Sequence, residues 1–346
     1  MRVGILTGGG DCPGLNAVIR AVTLALLHAD AATEVWGIQR GFWGLMADRL
    51  QPLTAASVRD LLDEGGTVLG THNRADPFAW QGHDASGQAL DCLTRHGIDA
   101  LVVIGGDGSL TIGDRFSRLG VPMVGVPKTI DNDIEHNERS FGFDSAVAVV
   151  AEALTRLKTT AQSHQRVMVL ETMGRNAGWI ALEGGLAGGA DAILIPEQPF
   201  DLDRLTARLQ ARVQEQGHAL VCVAEGATLS DGTQFWQTGS GVARLGGIGQ
   251  ALTDALAQRL PGTEVRGTLL GHLQRGGAPT AFDRVLSTRF GVAAAQALRD
   301  GAFGHTIALQ GDRCVRVPLS AVSGRQRRVP LDDPLSDCAR VLGALD

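Results

Sequence analysis

The chain contains no tyrosine, and its ten phenylalanines and five tryptophans bring aromatic residues to only 4%. Any ring stacking on a bound base must therefore come from Phe or Trp. No stretch approaches the ~18 unbroken apolar residues of a membrane-spanning helix. Cysteine is scarce: Cys12, Cys92, Cys222, Cys314 and Cys338 are scattered, odd in number, and lack the paired spacing of a metal or disulfide framework. That usage fits a reduced, cytoplasmic protein. The first strand-like run, Val3 to Leu6, begins too early to leave room for a signal peptide. Positive charge is not in excess. Lys and Arg number 31 against 37 Asp and Glu, a net charge of -6, which disfavours nucleic acid or an anionic membrane as partner. Lysine occurs only twice, as Lys128 and Lys158. Two phosphate motifs are also missing. Pro13 stands where a G-x-G-x-x-G loop counted from Gly8 needs its last glycine, and no Gly-Lys pair exists for a Walker A loop.

What is present points to a two-domain α/β protein. A chain of 346 residues, 44% of them hydrophobic, is long enough for about two domains. Its 46 glycines, about 13% of the chain against a usual ~7%, gather in loops after apolar runs. The central unit is the clearest. Leu101 to Ile104 runs into Gly105-Gly106-Asp107-Gly108-Ser109, a helix follows over Leu110 to Leu119, and Met123 to Val126 runs into Pro127-Lys128-Thr129-Ile130-Asp131-Asn132-Asp133. Strand, helix and strand at this spacing form a right-handed βαβ crossover. Both loops then emerge at one edge of a parallel sheet, where open α/β sheets bind ligands. Asp107 and Asp131 are expected to face one crevice.

The same pattern recurs along the chain. Val3 to Leu6 leads into Gly8-Gly9-Gly10, a loop whose backbone N–H groups suit a phosphate. Val35 to Ile38 is a strand, Ser57 to Asp63 a polar helix, and Gly65 to Arg74 a glycine-flanked loop ending in a cation. A helix through Val147, Val150, Ala151, Leu154 and Leu157 precedes the strand Val167 to Leu170 and the loop Glu171 to Gly178. Further strands are expected at Ala192 to Ile195, Leu220 to Ala224 and Val265 to Leu270, with helices at Leu202 to Gln214, Gly249 to Leu260 and Ala281 to Leu298. This alternation implies two Rossmann-like α/β domains with the active site in the cleft between them. The expected division is 1–140 plus 250–305 for the larger domain and 141–249 plus 306–346 for the smaller.

The polar residues at strand ends are Asp107, Lys128, Thr129, Asp131, Asp133, Arg166, Arg175, Glu225, Arg266, His272 and Arg275. They supply a carboxylate for a metal, a second carboxylate free to take a proton, and several cations. That is the inventory of phosphoryl transfer, in which positioning and charge stabilisation dominate.

The segments GGGDCPGLNAVIR, GGDGS, PKTIDND, SHQR, ETMGRNAG and GHLQRGG resemble, in order from Val3 to about Arg289, the motifs of the 6-phosphofructokinase family. The resemblance implies transfer from MgATP to the 1-hydroxyl of fructose 6-phosphate, a committing step of glycolysis. In this likeness Asp131 is the general base and Arg175 offsets charge on the transferring group. Asp107 holds Mg2+, and Gly10, Arg74, Gly106, Asp107, Gly108 and Ser109 contact ATP. Thr129, Ile130, Asp131, Met173, Gly174, Arg175 and Glu225 bind the sugar phosphate. Arg166, Arg266, His272 and Arg275 surround its 6-phosphate. Arg166 and Arg266 reach in from a neighbouring subunit, which implies a homo-oligomer.

The family divides by donor at positions 108 and 128. Gly108 matches ATP users, and Lys128 matches pyrophosphate users. The Gly108/Lys128 pair resembles an actinobacterial-type, ATP-dependent subgroup. A glycine leaves open the space that a nucleotide's α-phosphate needs, whereas Lys128 attracts phosphate without excluding ATP. A pyrophosphate-dependent enzyme is the main alternative. A kinase of NAD or of a lipid alcohol shares GGDG but has no reason to carry PKTIDND or HLQRGG. A non-catalytic sugar-phosphate-binding subunit is expected to lack one of the two carboxylates, and Asp107 and Asp131 are both present.

Overall fold

A computed structural model describes residues 1–232, 236, 237, 244, 245 and 247–346, with the backbone alone of residues 236, 237, 244 and 245. In chain order the strands are β1 (Arg2–Thr7), β2 (Glu34–Ile38), β3 (Leu50–Leu53), β4 (Ala100–Gly105), β5 (Met123–Pro127), β6 (Arg166–Thr172), β7 (Ala192–Leu194), β8 (Ala219–Ala224), β9 (Trp236–Gln237), β10 (Arg244–Leu245), β11 (Glu264–Leu269), β12 (His305–Gln310) and β13 (Arg313–Pro318). The α-helices are α1 (Leu15–Ala29), α2 (Phe42–Met46), α3 (Ala55–Val58), α4 (Ser86–His96), α5 (Asp107–Arg118), α6 (Phe143–His164), α7 (Trp179–Gly188), α8 (Leu202–Gln216), α9 (Ile248–Arg259), α10 (Ala281–Arg299), α11 (Leu319–Val322) and α12 (Pro334–Val341). Among the described residues no helix is long and apolar enough to cross a membrane.

The chain forms two compact units. One comprises 1–130, 134–145 and 275–326; the other comprises 131–133, 146–274 and 327–346. This division differs from the expected one at four places: the short segments 131–133 and 141–145 change sides, and so do two longer ones. Residues 306–326 join the first unit because β12 pairs with β5 and carries β13 with it. Residues 250–274 join the second because β11 pairs along its whole length with β6.

In the first unit the strand order is β13-β12-β5-β4-β1-β2-β3. The strands from β12 to β2 run parallel, and antiparallel β13 and β3 close the edges. From β1 the chain moves outward to β2, then returns to place β4 on the other side. The switch point lies between β1 and β4, where this class of sheet opens a ligand crevice. Register confirms the juxtaposition: Thr7 lies opposite Ile104, and the Gly8 amide donates to the Ile104 carbonyl at 2.9 Å. Leu6, Leu101, Val103, Leu110, Phe116 and Met123 build the core beneath. Phe116 is fully buried, and truncating such a ring to Ala costs about 3–5 kcal/mol.

In the second unit the order is β11-β6-β8-β7, all parallel. Here β6 has β11 on one side and β8 on the other, so the loops after these three strands share one edge. Val167, Val169, Val221, Val223, Leu252 and Val265 form its core.

Two local expectations are corrected. The helix expected at Ser57 to Asp63 is only α3, a single turn closed by a Thr54–Ser57 capping box. More consequential, α5 begins at Asp107 rather than Leu110. Of the glycine-rich segment, Gly105 ends β4, Gly106 precedes the helix as its N-cap, and Asp107 to Ser109 form the first turn, with no loop between.

Candidate active site

In the first unit a cavity of about 500 Å3 opens at the ends of β1, β4 and β5. Gly8, Gly9 and Gly10 line it from β1, Gly106 to Ser109 from the start of α5, and Lys128 from β5. His72, Asn73, Arg74 and Asp76 form a further side. The three strand-end loops can crowd together because they lack side chains. A Cβ on Gly8 would lie 2.4 Å from Ser109 Oγ, and one on Gly105 would lie 2.3 Å from Ser109 Cβ.

Helix α5 points its N-terminus at this cavity. Its first helical bond runs from Leu110 N to Gly106 O at 3.0 Å, and Gly106 offers no side-chain cap. The amides of Asp107, Gly108 and Ser109 therefore have no helical acceptor, an arrangement that favours a bound anion. Asp107 Oδ1 accepts from Gly324 N at 3.0 Å and from Thr111 Oγ1 at 3.3 Å, which fixes the carboxylate on the lining. Its hard oxygen donor suits Mg2+. At Gly108 an added Cβ would meet nothing within 4 Å.

Lys128 is buried, and its ammonium donates to the Gly10 carbonyl. Arg275 reaches the same loop from its other side: Nη1 donates to Asp11 O at 3.3 Å and would lie 2.8 Å from a Cβ on Gly10. His72, on the lining, is held below its ordinary pKa by burial and then by the Arg40 and Arg74 charges. The shift favours the neutral imidazole. Burial pushes the neighbouring Cys12 thiol up to about 12, so it is inert packing in the turn.

Several lining residues escaped the sequence reading. Phe42, Ile112 and Arg115 contribute apolar and cationic surface to the cavity. Arg115 lies 3.7 Å from the centre of the Phe78 ring, whose neighbour Phe116 also stacks on Phe42. Ile112 and Arg115 lie one and two turns into α5 beyond its glycine-rich start and Phe42 opens α2, so only the folded chain shows which of their faces meets the cavity.

In the second unit Met173, Gly174 and Arg175 follow β6, and Glu225 follows β8. The Glu225 amide donates to Thr172 O at 2.9 Å, and Gly226 N to Gly174 O at 3.2 Å. The approach is close enough that a Cβ on Gly226 would lie 2.0 Å from the Arg175 carbonyl oxygen. Gln274, fully buried, ties the loop after β11 to the loop after β6. Its Oε1 accepts from Met173 N at 3.2 Å, and its Nε2 donates to Gly271 O at 3.0 Å. His272 stands exposed in that bridged turn. The sequence reading passed over Gln274 because its role is to hold other residues.

The segment 131–133 is anchored by Arg327. Its amide donates to Asp133 O at 2.9 Å, its Nη1 donates to Asn132 O at 3.3 Å, and its guanidinium lies over Trp179 at 4.0 Å. Asn132 takes a positive φ of 53° here, a conformation Asn tolerates better than most residues. Thr129 and Ile130, just before it, are buried.

Arg166 and Arg266 are placed elsewhere. Arg166 opens β6 and Arg266 is near the start of β11, so they sit at the opposite edge of that sheet from Met173, about 20 Å away along the strand. Both guanidiniums pair with Glu264. Although burial works to raise the Glu264 pKa, hydrogen bonds from the two arginines hold it below its ordinary value.

A phosphofructokinase family model matches residues 2–298. An ATP-dependent 6-phosphofructokinase 2 of Streptomyces coelicolor is 48% identical over 96% of this chain and 97% of its own length. A pyrophosphate--fructose 6-phosphate 1-phosphotransferase of Amycolatopsis methanolica is 46% identical over 95% of this chain and 96% of its own. Among solved structures, Pichia pastoris phosphofructokinase in the T-state superposes with a TM-score of 0.82 at 35% identity. That match covers 93% of this chain, which spans about a third (35%) of the length of the yeast chain. By motif order, fold and similarity over nearly its whole length, the chain belongs to the phosphofructokinase family, enzymes of phosphoryl transfer to a fructose phosphate.

Proposed function

We propose that this enzyme transfers the γ-phosphoryl group of MgATP to the 1-hydroxyl of fructose 6-phosphate. The observation that carries the choice of donor is the cavity around α5. Its volume of about 500 Å3 is that of a nucleotide-sized site. It combines an anion-binding helix terminus with apolar surface from Phe42 and Ile112 that a base can use. Position 108, on its lining, leaves open space.

In this reading Gly10, Arg74 and Gly106 to Ser109 receive the donor phosphates, and Lys128 adds positive charge beside them. Asp107 is the residue to hold Mg2+, which when bound offsets charge on the donor phosphates. Thr129, Ile130, Met173, Gly174, Arg175 and Glu225 position the sugar phosphate, while His272 and Arg275 serve its 6-phosphate. Asp131 takes the proton from the 1-hydroxyl, and Arg175 balances charge on the phosphoryl group in flight. The remoteness of Arg166 and Arg266 from their own Met173 loop supports a homo-oligomer in which they complete a neighbour's site.

Pyrophosphate as donor is the second reading, favoured by Lys128 on the lining and by the name of the Amycolatopsis relative. Steady-state rates with each donor on the purified protein separate the two. Asp131→Asn should leave fructose 6-phosphate binding measurable while kcat falls by about 10²–10⁴; full activity in that variant removes Asp131 from the mechanism.

A further inference from the structure

Asp48, Cys92 and His96 converge at a place that does not line the cavity around α5. Cys92 and His96 are four residues apart on α4 and so share one face of it. Asp48 comes from the turn after α2, where it takes a positive φ of 54°, and its carboxylate meets Cys92 and His96 on that face. One donor atom from each of the three lies within 4.8 Å of the other two. Asp48 Oδ1 is 3.6 Å from Cys92 Sγ and 2.5 Å from His96 Nε2, while Oδ2 is held by Arg95 at 3.1 Å. The carboxylate is thus divided, one oxygen toward the thiol and imidazole, the other oriented by an arginine.

A surface ion pair among Asp48, Arg95 and His96 contributes at most about 1 kcal/mol and has no need of a buried thiol. Cys92 packs in the core of the first unit but turns its thiol toward the Asp48 carboxylate, and a tetrahedral zinc ion can use S, N and O donors together. Bond lengths of about 2.0–2.3 Å to N, O and S place ligand atoms roughly 3.3–3.7 Å apart. The Cys92–Asp48 separation already matches, and the His96–Asp48 pair must open by about 1 Å, which their partly exposed side chains permit. The mixed S, N and O donor set is that of zinc and its borderline neighbours rather than of Mg2+.

We propose that Asp48, Cys92 and His96 form a binding site for a divalent transition cation of the zinc class, with water in the fourth position. Binding releases the thiol proton, and any proton on the imidazole, to solvent. The ion, one thiolate and one carboxylate then sum to zero charge. A bound cation ties α4 to the turn after α2. Phe42, the first residue of α2, lines the nucleotide-sized cavity, so occupancy also braces one of its walls.

The test is a Co2+ titration of the full-length, chelator-stripped enzyme. We expect a thiolate-to-cobalt charge-transfer band and four-coordinate visible bands, saturating at one ion per chain and bleached by Zn2+. Cys92→Ser should abolish the charge-transfer band, whereas substituting the exposed Cys338 by Ser should leave it unchanged. Asp48→Asn, which tolerates the same backbone conformation, should weaken cobalt binding at least about tenfold. No band in the unmutated enzyme overturns the proposal, as does a band that survives Cys92→Ser or disappears with Cys338.

Discussion

Gly108→Asp separates the electrostatics of the donor site from its stability. Gly108 is the second residue of α5, and a Cβ there meets nothing within 4 Å. The substitution introduces no clash. A carboxylate in the first turn complements the helix dipole by about 0.3–1 kcal/mol, and replacing glycine within a helix adds a few tenths more. The melting temperature should hold or rise. The donor should suffer. At an effective dielectric constant of about 20, a unit negative charge ~5 Å from a phosphate charge costs about 3 kcal/mol. That corresponds to roughly 200-fold in kcat/KM for ATP. Pyrophosphate, having no third phosphate to place beside residue 108, should be affected far less, so the donor ratio should swing toward it. Coupled steady-state assays with each donor, run beside thermal unfolding, read both effects. An intact fold with ATP kcat/KM within about threefold of the parent would refute the reasoning. So would an unmutated enzyme that turns over pyrophosphate faster than ATP.

Other outcomes follow from single contacts. Lys128→Met removes a buried charge-assisted hydrogen bond to the Gly10 carbonyl. It should cost about 1.5–3 kcal/mol of stability by denaturant titration and lower kcat/KM with either donor. Gly226→Ala sets a methyl group against the Arg175 backbone. It should destabilise by about 1–3 kcal/mol and raise KM for fructose 6-phosphate while leaving KM for the donor unchanged. Asp283 is fully buried at the start of α10, where Ser145 donates to it through both N and Oγ. Burial pushes its pKa from 3.8 up to about 6. Because the folded state binds this proton more tightly, its contribution to stability is full below pH 3.8 and is lost as pH rises through 6. Relative to Asp283→Asn, the parent should lose about 3 kcal/mol between pH 3.5 and 7 in urea unfolding. A flat difference across that range would rule out a raised carboxyl.

Much of the fold was legible because buried parallel strands read as short apolar runs, and the glycines after them marked the turns. β1, β4, β5, β6 and β8 were found within a residue or two of their ends. The missed helix α7 shows where the pattern fails. Its glycines Gly184 and Gly188 would place a Cβ within 2.6 Å of Val150 and 2.5 Å of Leu154 respectively. The helix is buried on nearly all sides and has no polar face for periodicity to reveal. Likewise β12 and β13 follow no phosphate-binding loop, and their place in the sheet is set by β5, about 180 residues earlier.

The sequence by itself determined which chemical groups stand at the strand ends, because a glycine-rich turn after an apolar run is a local property of a few neighbouring residues. Only the tertiary structure decided what holds and encloses them: Gln274 on Met173, Arg327 beneath residues 131–133, Glu264 between Arg166 and Arg266, and Phe42 on the cavity wall. It also brought Asp48 to Cys92 and His96 across more than forty residues. These are contacts between distant segments, and their geometry follows from strand order and helix packing, which no stretch of the chain encodes alone.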